Sequence, residues 1–190
     1  MVALDSLMLL SGRQTPGVPT PVIEVDVAAG SWAARHRLSR EEWAGAAAGF
    51  ALDLPLRQLA RLAGVPLATA HRLSLTFRTA IAARDPNWRE VIGRIVAESE
   101  PITDFVVRAD GTVAPGRALG PVEQFAGLTL TAESGGERAL RRLRFRLRRY
   151  RGLATRLAPL YLKECELRAR LPWADLLKVL LESLSQPALD

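Results

Sequence analysis

Two groups of side chains have the types and spacing needed to handle a polyanion. The first is Thr69, His71 and Arg72, hydrogen-bonding groups within one helical turn, flanked by Pro66 and Ala68. The second is the run RALRRLRFRLRRYR at residues 138–151, which holds eight arginines and no acid. Guanidinium groups keep their charge at physiological pH and present planar pairs of donors that match phosphate. Short polar side chains near a helix start are the kind that reach base edges. The net charge of +6 is concentrated, because the chain without that run is slightly acidic. One basic stripe on an otherwise near-neutral chain is the footprint of a polyanion partner. A solvated helix face is the plain alternative for a charge run, and the lack of compensating acids weakens it.

Other chemistry is poorly supplied. Cys165 is the only cysteine, and His36 and His71 are the only histidines. An internal disulfide, a zinc site of paired cysteines and a nitrogen–sulfur metal centre are thereby excluded. Carboxylate binding of magnesium stays open. The start, MVALDSLMLL, lacks a basic leader and its apolar run is short, as is Ala44–Leu54. Neither is long enough to span a bilayer. A cytoplasmic, nucleoid-associated protein with no membrane contact is expected. The length of 190 residues and an apolar fraction of 48% allow a real core in one domain or two small ones.

Thr69, His71 and Arg72 are positioned by Leu56–Leu75, LRQLARLAGVPLATAHRLSL. Leu59, Ala63, Val65, Ala70 and Leu73 fit two short helices packed at a corner, and Ala60 is small enough for close approach. Gly64 sits where the first helix must end in a left-handed residue. Pro66 then starts the second helix without losing a hydrogen bond. This is the helix-turn-helix pattern, whose second helix enters the DNA major groove; an ordinary helical hairpin would share it. Ahead of it, Ser39 with Glu42 forms a capping-box signature, and Trp43, Ala47 and Phe50 mark the core side of a helix lined with small residues.

In the rest of the chain, residues 11–21 read as a loop and Pro21–Val27 as a short strand. The second helix of the motif continues through Phe77 and Ile81 to Ala83, and Asp85-Pro86 stops it. Trp88–Ala97 suits a helix, Phe105–Arg108 a strand, and Asp110-Gly111 a turn. Residues 114–137 read as irregular with one strand at Leu128–Thr131. In the arginine run, Leu140, Leu143, Leu147 and Tyr150 fit a helix, while Leu143, Phe145 and Leu147 would equally suit a strand; length and arginine's helix propensity favour the helix. Leu153–Ala169 is helical again, and Pro172 separates it from a final amphipathic helix, Trp173–Leu184. That helix belongs to the core or to a homodimer or partner-chain contact, the core being favoured.

Three segments together resemble bacterial insertion-sequence transposases built from a zinc ribbon, a helix-turn-helix and a ribonuclease-H-like nuclease. They are GSWAARHRLSREEW at 30–43, the helix-turn-helix at 54–75, and RALRRLRFRLRRYRGLATRLAPLYL at 138–162. The resemblance implies a nuclease in which acidic residues hold two magnesium ions for phosphoryl transfer. On that basis Asp110 and Glu137 match the second and third acids. Ser99 stands in the place of the first, with Glu98, Glu100 or Asp104 as substitutes. The ribbon cysteines are missing, and the interval from Ser99 to Asp110 is too short for the family's strand meander.

The expected molecule is mainly α with a small β component: a helix-turn-helix plus a reduced α+β C-terminal part. Residues 1–38 form an N-terminal strand and loop segment, 39–97 the DNA-binding domain, and 98–190 the reduced transposase-like region. Its expected function is sequence-directed binding of double-stranded DNA, strand-transfer chemistry having been lost. Pro66, Ala68, Thr69, His71 and Arg72 would face bases. Arg138, Arg141, Arg142, Arg144, Arg148 and Arg149 would neutralise phosphates. No cofactor is needed for this. A rival is a compact magnesium-dependent nuclease using Asp110 and Glu137; another is a module whose arginines bind RNA or an acidic protein.

Overall fold

The computed structural model describes residues 30–150 and 152–188; the expected strand at Pro21–Val27, the loop before it and Arg151 lie outside them. Helix α1 spans Arg40–Ala51, α2 Leu56–Ala63 and α3 Leu67–Ala83. Ser39 caps α1 as expected: its hydroxyl accepts from the Glu42 amide at 3.2 Å, and its own amide donates to the Glu42 carboxylate at 2.7 Å. Gly64 ends α2 with φ of +69°, the left-handed residue the corner requires.

Close packing of α1 on α2 depends on Gly45. A Cβ there would lie 2.7 Å from the Leu62 carbonyl oxygen and 2.8 Å from the Ala63 Cα, so only glycine admits this approach. Trp43, Phe50, Leu59, Leu73 and Phe77 fill the corner. Chain order alone did not place the last contribution to this core. Helix α7, Trp173–Leu184, returns from the C-terminal end and buries Leu180 and Leu184 in it.

Beyond α3, a single 3-10 turn at Pro86–Trp88 leads into α4, Arg89–Val96. A four-stranded sheet follows, with β1 at Asp104–Val107, β2 at Val113–Pro115, β3 at Val122–Phe125 and β4 at Leu128–Ala132. Its order is β2-β1-β4-β3, with β1 and β4 parallel and the two outer pairings antiparallel. Residues 114–137 therefore hold the end of β2 and the whole of β3 and β4, where the sequence suggested one strand. The additional strand, β3, is an edge: Val122 and Gln124 face solvent, so it carries no apolar alternation to betray it. It pairs with β4 through the two-residue turn Ala126-Gly127, whose φ values are +47° and +83°, the both-positive geometry of a type I′ hairpin.

Helix α5, Glu137–Leu147, lies on the sheet, and α6, Ala158–Arg170, packs against α5 and α3. Leu140, Leu143, Leu147, Leu160 and Leu162 join Phe105, Leu128 and Leu130 in a second core. The Trp88 ring stacks on Phe105 at 5.3 Å, and its indole N–H donates to the Val113 carbonyl at 2.9 Å. The long helix α3 runs from one core to the other, burying Leu73 and Phe77 in the first and Ala82 in the second. The fold is mainly helical with a small β component. No helix among the described residues is long and apolar enough to cross a membrane.

Candidate nucleic-acid interface

Along α3 the helical period divides the motif's residues. Ala70 and Leu73 are fully buried, which turns Pro66, Ala68, His71 and Arg72 to solvent and leaves Thr69 half-buried. The Arg72 guanidinium lies 3.4 Å from the Thr69 hydroxyl, one turn back on the helix. Leu67 also faces out, at 47% exposure; sequence reasoning misses it because a leucine is taken for core by default.

In α5 the leucine stripe packs on the sheet and the arginines are left outside. Arg138, Arg141, Arg142 and Arg148 are exposed and make no ion pair among the described residues. Arg144 is paired with Glu123 of β3 at 2.6 Å, an exposed contact of small energy. Arg149 instead grips Asp53, in the connection from α1 to α2, with both guanidinium nitrogens and also touches the Tyr150 hydroxyl at 2.9 Å. The hydrogen bond to Asp53 holds the Arg149 guanidinium firmly in its charged form, against the effect of partial burial.

That grip joins the two candidate surfaces. A recess of about 390 Å³ has His71 of α3 on one side and Arg149 with Tyr150 on another. Arg149 also borders a larger open recess of about 920 Å³, lined by Arg138, Arg141, Arg142, Arg146 and Arg148 around Phe145. His71 of α3 and the exposed arginines from Arg138 to Arg148 thus border neighbouring recesses that share Arg149.

A largely buried charge network forms part of the lining of the first recess. Glu164 receives Arg78 at 2.6 Å and Arg168 at 2.7 Å. Arg168 donates onward to the carbonyl oxygens of Phe50 and Ala51 at 2.6 and 3.0 Å. These two carbonyls end α1, where the helix leaves its last acceptors to other donors; that of Phe50 also accepts from the Asp53 amide at 2.9 Å. The network therefore ties α6 to the helix-turn-helix from beneath. Buried charges of this kind need their partners, and each one here has them.

Asp110 and Glu137 share a third recess of about 480 Å³, but with Arg138, Arg141, Arg142 and Arg170. Asp110 sits in the β1–β2 turn, where its carboxylate accepts from the amide and hydroxyl of Thr112 at 2.8 and 2.7 Å. Those bonds hold its carboxyl below the usual carboxylate range. The proposed substitutes for the first acid lie elsewhere. Asp104 starts β1, at the strand end opposite Asp110, and pairs with Arg117, while Glu98 pairs with Arg156. Ser99 donates to the Arg94 carbonyl. Among the described residues, no three His, Cys, Asp or Glu side chains are grouped to hold a metal ion. Two carboxylates among four guanidiniums do not fit a two-metal cradle, because such a pocket attracts anions.

Comparison with known proteins gives no match, whether to a family model, to a curated protein or to a solved structure.

Proposed function

We propose that this chain binds duplex DNA, with the start of α3 in the major groove and the arginines of α5 on the flanking phosphates. The observation that supports this reading is the recess shared by His71 of α3 and Arg149, whose other side adjoins the recess lined by Arg138, Arg141, Arg142 and Arg148. Phosphate contacts would supply affinity and salt dependence, and Thr69, His71 and Arg72 would supply sequence preference. Descent from insertion-sequence transposases is part of the same proposal, and it rests on segments 30–43, 54–75 and 138–162.

The test is fluorescence anisotropy with duplexes selected from a random pool, over a salt series. Wild type should bind with a steep log–log salt slope. Arg141→Ala/Arg142→Ala should flatten that slope by roughly one unit for each phosphate no longer neutralised, and weaken all sequences alike. Arg72→Ala should cost selected duplexes about 1–3 kcal/mol and random ones less. Absence of binding at low salt would overturn the proposal.

A further inference from the structure

The aromatic ring in the middle of the arginine face has no structural duty. Phe145 is 77% exposed, although the three leucines of the same helix are buried. Its surroundings follow from helical spacing. Arg141 and Arg142 lie one turn before it on the same side of α5, and Arg148 and Arg149 follow just past the end of that helix. Together with Arg138 they enclose it in the open recess of about 920 Å³. No guanidinium packs over this ring among the described residues, whereas Arg78, Arg149 and Arg168 do cover the rings of Phe50, Tyr150 and Tyr161.

A bare ring among arginines of which Arg138, Arg141, Arg142 and Arg148 make no ion pair among the described residues is suited to a ligand that carries a flat apolar face and repeated negative charge. Nucleic acid has both, but in a duplex the base faces are stacked on each other, and a side chain reaches them only by unstacking and kinking the helix. An unpaired stretch offers a base to Phe145 without that cost while its phosphates meet the arginines. A bilayer is the poorer occupant, because Phe145 is the one large apolar side chain lining this recess and Leu140, Leu143 and Leu147 point into the core. We infer that the Phe145 recess is a binding site for single-stranded nucleic acid, in which Phe145 stacks on a base and Arg141, Arg142 and Arg148 hold the adjoining phosphates. The inference shares the basic face with the duplex proposal but does not depend on the recognition helix.

The probe is a fluorescein-labelled single-stranded DNA, compared with an abasic strand of the same length, both read by anisotropy at low salt. Wild type should prefer the base-bearing strand. Phe145→Ala should weaken that strand about five- to hundredfold, leave the abasic strand unchanged and keep the salt slope. Phe145→Trp should restore the preference. Arg141→Ala/Arg142→Ala should weaken both strands and flatten both slopes. Because Phe145 is outside both cores, Phe145→Ala should melt like wild type, which separates a stacking defect from a folding defect. Equal affinity of wild type for the two strands would overturn the site, as would an equal loss on both in Phe145→Ala. Phe145-dependent capture by phosphatidylserine vesicles without a preference for bases would overturn it in favour of a membrane surface. Arg72→Ala distinguishes the two readings: it should reduce duplex selection and leave the single strand untouched, so either can fail alone.

Discussion

At the scale of single residues, the buried Cys165 thiol and the half-buried Tyr150 hydroxyl should make the fold sensitive to alkali. Burial pushes the Cys165 thiol up to about 12 from an ordinary 9.0, with the charge on Glu164 adding to the effect. Burial likewise raises the Tyr150 hydroxyl to about 12 from 10.0. Both groups have a higher pKa folded than unfolded, so their neutral forms favour the native state fully below about pH 9. That contribution is lost as the pH climbs toward 12. The urea midpoint should fall between neutral pH and about pH 10.5, and Cys165→Ala should show a shallower fall. Equal slopes for the two proteins would remove Cys165 from the account. The sequence identified Cys165 as a lone thiol; its burial beside Glu164 came only from the packing of α6.

Among elements, the corner of the helix-turn-helix was the most legible, because its determinants are local. Gly64 and Pro66 act through their own backbone preferences, and Ser39 and Glu42 satisfy each other within one turn. Gly45 is different. Small residues on one side of α1 were visible in the sequence, but the identity of the neighbour that needs the space was not. Gly45→Ala should cost about 1–3 kcal/mol by urea denaturation, since the clash is with backbone that cannot swing away. Gly93→Ala in α4 is the matched control: nothing lies within 4 Å of its Cβ position. Relief of glycine's helix penalty should stabilise that variant by up to about 1 kcal/mol. Similar destabilisation of both would mean that α1 and α2 are not in close contact. Strand β3 was illegible for the opposite reason, as an edge exposes half its side chains and needs only backbone bonds from β4.

For the whole molecule, the decisive feature is the return of α7 to the first core. Leu180 is fully buried there, so Leu180→Ala should destabilise the fold by about 2–5 kcal/mol. Native-state hydrogen exchange should then show reduced protection in α2 and α3, far away in sequence; unchanged protection there would show that α7 does not support the motif. By itself the sequence determined the mainly helical class, the helix-turn-helix corner and the concentration of positive charge in one run. Each of these rests on backbone preference, short-range periodicity or composition, which operate within a few turns of chain. The sequence favoured a helix for the arginine run, reaching to Tyr150, over a strand that its leucines also suited; the tertiary structure settled the helix, ended it at Leu147, and supplied the sheet that Leu140, Leu143 and Leu147 cover. The same packing turned Phe145 outward. Tertiary structure also brought Arg149 to Asp53, and put Asp110 with Glu137 among arginines. Contacts between distant segments depend on where every other buried face is satisfied, and that is a property of the assembled core, not of any stretch of sequence.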